Sequence, residues 1–474
     1  AATGQGNIIV NNASGGKIEL DGENAVGIYV TDNHDGSHTV NATNSNGGII
    51  TLIGKSAIGI AGNNVDIITN SGEINVEVDN GIGLYGEGTV AGTITNTNTG
   101  EIKIGASTSD TTLRTGIYAK DRLITINNDG KIIGGSESYG IFTKGIANLG
   151  ANSKIIVGDE GVALYSNHGN ITMNAGSEIT VGSNEAVGVF VEQANAQTIN
   201  GAGKLMMGNN SFGYVLKDTT GMTLNTANTA TTLGNNTVFA YTNDITSTLS
   251  NTTPLTSTGD KNYGLYSYGT VNNNANINFE TGIGNVGIFV TGADGVANHN
   301  GGSITIGQSD AVNENYGIGI GAINGAKAKN DSIINVRGNN SIGMYGLNSE
   351  ITNATGKTIN LDSDGAIGMY VDGGTAVNDG IITTVGSPKG AIGVVLKNGA
   401  NFWNNGTIYI DSEGGSGIFS DGGVIRNEGT ITVLSGAKKI GSPTALPSTV
   451  GSSSGWSLYA PAAAPVAIPQ LNGI

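Results

Sequence analysis

The sequence predicts an all-β fold, a right-handed parallel β-helix (β-solenoid) of about 17 coils with a period near 25 residues. Two short motifs predict it, a glycine-aliphatic-aromatic motif and an N-x-G turn motif that alternate along the chain. The third observation is a composition of Ile, Val and Leu alternating with small polar residues, which is typical of strands. A repeat of this length without helical heptads indicates one solenoid coil that packs on its neighbours.

Composition excludes several other classes of protein. The 474 residues include 79 Gly and only 12% charged residues, yet 37% are hydrophobic, enough for a long, thin core. The formal net charge is −16, with 21 basic residues spread along the chain, so nucleic acid is not expected as a partner. The chain has no cysteine and no apolar run long enough to cross a bilayer as a helix.

The glycine-aliphatic-aromatic motif provides 17 anchor positions. Clear copies include AVGIYV, GIGLYG and IGMYV, and most intervals between anchors are 23 to 27 residues. The clear anchors are Gly27, Gly83, Gly116, Gly140, Gly188, Gly264, Gly287, Gly343, Gly368 and Gly417. The degenerate anchors are Gly59, Ala163, Gly213, Thr237, Gly317, Gly393 and Ser457.

The turn motif N-x-G-x-I-x-aliphatic lies between the anchors. It appears as NSGEINV from Asn70, NTGEIKI from Asn98, NNGTIYI from Asn404 and NEGTITV from Asn427. Each coil therefore contains at least two strands, and a third fits after the aromatic residue. Because asparagine tolerates turns and its amide can bond the equivalent amide one coil away, we expect a structural asparagine ladder.

Strand alternation predicts which side chains face the core. At the first anchor it places Val26 and Ile28 inward and Gly27 and Tyr29 outward. Stacking of the coils would then align the outward tyrosines and phenylalanines in an aromatic ladder. Its regular recurrence favours a structural role for this ladder over a binding stripe.

We expect one β-helix over residues 1–460, followed by a Pro/Ala-rich extended or disordered tail over 461–474. No signal peptide opens the chain, which is therefore interpreted as a mature or excised segment. Longer intervals between anchors contain the loops 31–46, 105–114, 307–316 and 435–454. Loops on a rigid scaffold are where binding is expected.

Candidate ligand-binding residues lie in these loops and at one unusual strand position. Trp403 follows Phe402, which fills a core position, so Trp403 should stand on the surface, with Tyr409 just beyond the next turn. Tyr316 ends one long loop. Another loop contains His34 and His38, whose spacing suits metal ligands only on a helix, so we expect no metal there. An exposed tryptophan can stack on a sugar or a partner, or only cover the adjacent coil.

Catalytic motifs are absent from the sequence. It has no nucleophile elbow, no H-E-x-x-H motif, no phosphate-binding loop and no calcium-binding nonapeptide repeat. Pectin-degrading β-helix enzymes would require clustered aspartates, but the chain has no Asp-Asp pair and His168-Gly169 stands alone. We therefore expect no enzyme activity and no cofactor, although carboxylates on successive coils could still cluster.

The spelling of the motifs, with AVGIYV, GIGLYG and AIGMYV, resembles the passenger domains of type V autotransporters. It is especially similar to the large outer-membrane autotransporter adhesins of fusobacteria. The resemblance covers residues 7 to 459 in repeat style and identifies no ligand residue. It implies an extracellular passenger at the cell surface of a Gram-negative bacterium, held in the outer membrane only through a C-terminal β-barrel that these residues do not contain.

Three functions follow from these expectations. The first is a surface adhesin that binds a host-cell surface protein or glycan, or other bacterial cells. The second is a structural stalk that presents a recognition tip outside this segment. The third is a polysaccharide-active β-helix enzyme. The regular repeat favours a stalk, whereas the loops and Trp403 favour binding.

Overall fold

The structure is a computed structural model that describes residues 7–32, 39–107, 112–167 and 170–434. It confirms an all-β parallel β-solenoid with a period near 25 residues, and it has about 15 turns where about 17 coils were expected. The expected anchor at Ser457 lies outside the described residues. Among the described residues, one compact unit comprises residues up to Met222 and Ala227–Thr229, here the N-terminal unit. The C-terminal unit comprises Thr223–Thr226 and residues from Ala230 onward.

Each coil of the N-terminal unit has three strands, which form three stacks named by their order within a coil. The first stack is β1 (Ile8–Asn12), β4 (Val40–Asn44), β7 (Ile67–Asn70), β10 (Gly92–Asn96), β13 (Ile124–Asn128), β16 (Ile146–Leu149), β19 (Ile171–Met173) and β22 (Thr198–Gly201). The second is β2 (Lys17–Leu20), β5 (Ile49–Leu52), β8 (Glu73–Val76), β11 (Glu101–Ile104), β14 (Lys131–Gly134), β17 (Lys154–Val157), β20 (Glu178–Val181) and β23 (Lys204–Met207). The third contains the anchors: β3 (Val26–Thr31), β6 (Ile58–Asn63), β9 (Ile82–Glu87), β12 (Arg114–Ala119), β15 (Ser138–Thr143), β18 (Val162–Ser166), β21 (Val187–Glu192) and β24 (Phe212–Lys217).

The C-terminal unit repeats the three stacks. The first is β25 (Thr223–Thr226), β28 (Thr248–Asn251), β31 (Thr270–Asn273), β34 (Val296–His299), β37 (Lys327–Asn330), β44 (Asn401–Asn404) and β47 (Ile425–Asn427). The second is β26 (Thr231–Leu233), β29 (Leu255–Ser257), β32 (Ile277–Ile283), β35 (Ser303–Gln308), β38 (Ile333–Val336), β40 (Thr358–Leu361), β42 (Ile381–Thr384), β45 (Thr407–Ile410) and β48 (Thr430–Val433). The third is β27 (Val238–Thr242), β30 (Tyr263–Ser267), β33 (Val286–Thr291), β36 (Ile318–Ile323), β43 (Ile392–Lys397) and β46 (Ser416–Ser420). Two long strands, β39 (Ile342–Asn353) and β41 (Ile367–Asn378), each span a third-stack and the following first-stack position.

The anchor glycines face the core, so the predicted alternation is wrong at this point. A Cβ on Gly27 would lie 3.3 Å from Cγ2 of Ile18 and 3.5 Å from Cδ1 of Leu20, which are second-stack side chains. The parallel pairing includes Val26 and Ile28 but omits the glycine between them, so the ladder is interrupted there. Ile28 is buried as expected, whereas Val26 is only half-buried.

The residue directly before an anchor glycine and the residue two positions after it lie together on the outer face. In the C-terminal unit Val286 and Phe289, which flank Gly287 in this way, belong to one hydrophobic cluster that excludes the intervening Ile288. A strict two-residue alternation would place Val286 and Phe289 on opposite faces. The interruption at the glycine therefore reverses the alternation.

Two degenerate anchors were placed two residues too early. Pairing of Ala240 with Leu265 aligns Phe239, not Thr237, with the anchor glycine of the next coil. Phe239 is fully buried, so a large ring replaces hydrogen at this inward position. Pairing of Ile288 with Ile320 likewise makes Gly319, not Gly317, the anchor. The sequence misled because the spelling of each motif also fits the shifted frame.

The predicted asparagine ladder is present at the end of the first stack, with one correction. In the coil of NTGEIKI the ladder residue is Asn96, which the register aligns with Asn70, and not the motif residue Asn98. In the N-terminal unit each amide donates to the next amide oxygen over 2.8–2.9 Å, from Asn12 through Asn44, Asn70 and Asn96 to Asn128. A second run in the C-terminal unit passes from Asn330 through Asn353, Asn378 and Asn404 to Asn427. Since most of these side chains are fully buried, the ladder supplies the hydrogen bonds that a buried amide requires.

His299 replaces asparagine in the C-terminal ladder. Its Nδ1 lies 3.1 Å from Nδ2 of Asn273 and its Nε2 lies 3.2 Å from the carbonyl oxygen of Ile333. Because the amide nitrogen can only donate, Nδ1 accepts and the proton resides on Nε2. The side chain is fully buried, and burial lowers the pKa of His299 from 6.5 to about 4.

The outer aromatic ladder is also present. In the N-terminal unit it runs from Tyr85 through Tyr118, Phe142 and Tyr165 to Phe190, with successive ring centroids 4.5–5.4 Å apart. These rings are nearly buried although they lie on the outer face, because they cover one another.

Charged side chains flank the same ladder. The Tyr85 hydroxyl donates to the Glu87 carboxylate over 2.7 Å, and Lys120 pairs with that carboxylate. Burial raises the pKa of Tyr118 to about 12. These contacts favour the structural reading of the ladder over a binding stripe.

The glycine position yields a stability prediction. A Cβ on Gly343 would lie 2.7 Å from the carbonyl oxygen of Gly368 and 2.7 Å from Cγ2 of Ile359. We expect Gly343→Val to cost about 2–3 kcal/mol and to remove hydrogen-exchange protection in the surrounding coils only. Ala163→Gly, which places the common residue at this position, is the control and should cost about 1 kcal/mol or less. Unchanged exchange around residue 343 would contradict the steric argument.

His299 yields a prediction for pH dependence. The pKa is 6.5 when unfolded and about 4 when folded, so between these values the unfolded state binds the additional proton. The contribution of neutral His299 to the free energy of unfolding is therefore fully present above pH 6.5. It is lost as the pH falls towards 4, which lowers the free energy of unfolding by about 3 kcal/mol. We expect His299→Asn to continue the ladder and remove this component. Parallel pH titrations of hydrogen exchange in the C-terminal unit would test this, and identical profiles would contradict it.

Candidate interaction surfaces

Trp403 is an exposed aromatic residue on a rigid strand. In β44 the preceding Phe402 is fully buried, and Trp403 is 39% exposed, as the sequence predicted. Register places Val377 beside Trp403 in the preceding coil and Arg426 beside it in the following coil. The guanidinium of Arg426 pairs with Glu428. The indole therefore lies between an aliphatic and a cationic neighbour, a setting suited to stacking on a sugar face or a flat apolar group.

Tyr409 lies on the outer face of the second stack. Its neighbours Ile408 and Ile410 are fully buried, and the tyrosine itself is 37% exposed. The register aligns Tyr409 with Thr383 in one neighbouring coil and Thr432 in the other. Trp403 and Tyr409 thus belong to different stacks of the same coil, separated by the N-x-G turn. Both could contact a ligand that extends over this turn.

The loop 309–316 presents an aliphatic tip. An antiparallel bridge joins Asp310 to Asn315, and the Asp310 carboxylate accepts the backbone N–H groups of Val312 and Asn313 over 3.0 and 3.2 Å. The side-chain and backbone bonds from Asn313 hold the pKa of Asp310 below its usual value. Val312 is 91% exposed at the tip. The loop is therefore preorganised with an apolar side chain directed to solvent.

Tyr316 does not present its ring to solvent. It is 6% exposed and belongs to the outer hydrophobic cluster with Tyr345 and Tyr370. Burial raises the pKa of Tyr316. Tyr316 therefore packs at the end of the loop, and Val312 is the exposed apolar side chain at its tip. Sequence reasoning missed Val312 because an aliphatic residue in a polar loop has no motif.

The remaining candidates are outside the described residues. His34 and His38 lie between the described ranges 7–32 and 39–107, and the loop 435–454 and the tail 461–474 follow the last described residue. Within the described ranges, no group of three or more His, Asp or Glu side chains is arranged to hold a metal ion. Nor does any helix in those ranges have the length and apolar character needed to cross a membrane.

Part of the chain is similar to a known protein family. Residues 347–445 match the family described as BigA third pectate lyase-like domain, an autotransporter-type passenger domain. The matched segment contains both Trp403 and Tyr409. It supports an autotransporter passenger and suggests an extracellular or surface location. Searches of curated proteins and of solved structures give no match.

The geometry of the loop 309–316 yields a prediction. Asp310→Ala removes the acceptor for the backbone N–H groups of Val312 and Asn313, so the tip should lose its fixed conformation. We expect faster thermolysin cleavage beside Val312 in the variant, because local opening exposes the backbone. Asp294→Ala, a substitution elsewhere in the same unit, is the control. Equal cleavage rates of Asp310→Ala and the parent would show that the carboxylate does not hold the loop.

Proposed function

We propose that this chain is the adhesive part of an autotransporter passenger and that it binds its target through the surface around Trp403. The observation that carries the proposal is the 39% exposure of this tryptophan on a strand whose neighbours are fixed by the coil register. Tryptophan at an exposed, rigid position is a common energetic centre of interfaces. The target would be a host-cell surface protein or glycan, or another bacterial cell.

Adhesion fits the chemistry of the described surface. Binding requires shape and exposed aromatic or polar groups, whereas catalysis requires groups with matched pKa values. The large pKa shifts in the described residues concern tyrosines of the outer aromatic ladder, other buried tyrosines and His299, which have structural contacts. We therefore propose that the chain acts without turnover, needs no cofactor and does not bind nucleic acid. Repeated display of passengers on one cell would strengthen a weak individual contact.

A stalk is the second candidate. Both ladders are buried and repeat in successive coils of each unit, so most of the repeated residues stabilise the coils and do not contact a ligand. A chain with this function would bind nothing itself and would hold a recognition tip away from the membrane. The two candidates differ in whether purified 1–474 binds.

The function is tested by Trp403→Ala in the complete 474-residue chain. Truncating an outward ring removes little core, so we expect normal folding and a loss of binding to host cells, bacterial cells or an immobilised glycan panel by about tenfold. Ile156→Ala is the matched control, because Ile156 is also 39% exposed but lies on a strand of the N-terminal unit. Equal binding by both variants would exclude the Trp403 surface, and absence of binding by the parent would favour the stalk. Release of reducing ends from polygalacturonate would contradict the proposed lack of turnover.

A further inference from the structure

The second stack of the C-terminal unit has an outer face without charge in its two central columns. A column here means the residues that the register aligns at one outward position of successive strands. Its first column is Ser303, Ile333, Thr358, Ile381, Thr407 and Thr430. Its second column is Thr232, Thr256, Asn278, Thr305, Asn335, Asn360, Thr383, Tyr409 and Thr432. We call these two columns the neutral face.

In the N-terminal unit the corresponding first column is strongly charged, whereas the second column is mostly neutral. The first contains Lys17, Glu73, Glu101, Lys131, Lys154, Glu178 and Lys204 and one neutral residue, Ile49. The second contains the charged residues Glu19 and Lys103 among Thr51, Asn75, Ile133, Ile156, Thr180 and Met206, so the contrast between the units lies in the first column. Ion pairs join Lys103 to Glu73 and Lys154 to Glu178, each over 3.1 Å. The core residues of both stacks are alike, so folding does not require the neutral face to lack charge. Its composition therefore needs a separate explanation.

Hydrogen-bonding groups line the second column of the neutral face at regular spacing, while the first column also contains two exposed isoleucines, Ile333 and Ile381. Asn360 donates to Asn335 over 2.8 Å, and Asn335 donates to Thr305 over 3.3 Å, so the amides are aligned along the column. Each amide can make more bonds than these, since it carries two donor hydrogens and an oxygen with two acceptor sites. Strand geometry repeats these groups about every 4.8 Å between coils. Tyr409 adds an exposed ring in the same column.

Charge near the neutral face is confined to its margin. Glu280, Arg337 and Asp362 follow the last inward residues of their strands, and the guanidinium of Arg337 pairs with both carboxylates over 3.1 and 3.5 Å. Lys357 precedes the first column at Thr358, and Asp411 follows Ile410 at the other margin. These five marginal residues comprise two cations and three anions, so the margins carry no excess of cations to attract an anionic polymer. An anionic polysaccharide or an acidic protein would need such cations for affinity.

We infer that the neutral face binds an uncharged, hydroxyl-rich polysaccharide that lies along the columns. The threonine and asparagine side chains exchange hydrogen bonds with sugar hydroxyls, and the Tyr409 ring stacks on one sugar face. An uncharged ligand is the complement of a face from which charge is absent. This inference rests on the proposed adhesive function and names the ligand class for the face next to Trp403.

The experiment uses the complete chain and three probes, a neutral β-glucan, a neutral galactomannan and anionic polygalacturonate, in affinity electrophoresis at low and high salt. We expect retardation by a neutral probe that does not change with salt. Thr383→Lys places a charge beside Tyr409 and should weaken this binding by about tenfold or more, since the ammonium loses water without gaining a partner. Tyr409→Ala should weaken it as well. Thr180→Lys, at the same column position in the N-terminal unit, is the matched control and should bind as the parent does.

Several results would overturn the inference. Preference for polygalacturonate, salt-sensitive binding, or equal effects of Thr383→Lys and Thr180→Lys would each exclude a neutral ligand on this face. Concentration-dependent dimers that disappear only in Thr383→Lys would identify a second copy of the chain as the occupant. If no neutral probe binds but Trp403→Ala still lowers cell binding, the proposed function stands and this inference fails. If no neutral probe binds and Trp403→Ala does not lower cell binding, both the proposed function and this inference fail.

Discussion

Parallel hydrogen bonding between coils places each residue beside its counterpart in the next coil, and this register constrains every other feature. Within the C-terminal unit, β39 and β41 pair over ten positions without a shift, from Ile342 with Ile367 to Asn353 with Asn378. The side chain of each residue must therefore tolerate contact with the side chains that the register aligns with it in the two neighbouring coils. Aliphatic residues, amides and rings can do so, because like side chains of these kinds pack or bond with each other. Like charges repel each other, so the aligned pairs Glu73–Glu101 and Lys131–Lys154 of the N-terminal unit need an opposite charge nearby, which Lys103 and Glu178 supply through ion pairs.

The glycine motif shows how the same constraint acts on the backbone. An anchor Cβ would meet the carbonyl oxygen of the next anchor, at 2.6 Å for Gly83 and 2.5 Å for Gly368. The strand also interrupts its pairing at this point and turns two successive side-chain positions towards the core. Ala163 and Phe239 show that single coils tolerate a larger residue. Ala163 lies between Gly140 and Gly188, and Phe239 lies beside Gly264, so the larger side chain is not repeated in these neighbouring coils.

The sequence was sufficient for the repeat, the strands, the asparagine ladder and the aromatic ladder, because each depends on residue type and spacing alone. It did not predict that the anchor glycines face the core, since simple alternation assumes an uninterrupted strand. The exposure of Trp403 was predictable from its position after a core residue. Tyr316 was expected at a binding surface but is buried, and the exposed Val312 was not anticipated, because which side chain of this loop is buried depends on the cluster around Tyr345, which no local pattern encodes.

The neutral face was encoded in the turn motif, but only the register made it visible. In NSGEINV and NTGEIKI the outward positions after the glycine hold Glu73 and Lys103, whereas in NNGTIYI they hold Thr407 and Tyr409. The inward isoleucine between them is fully buried in every one of these coils. Since the outward positions can change while the core position stays the same, the chemistry of a surface column is independent of the requirement to fold. A solenoid can therefore change what one column binds, coil by coil, while the inward residues keep the coils in register.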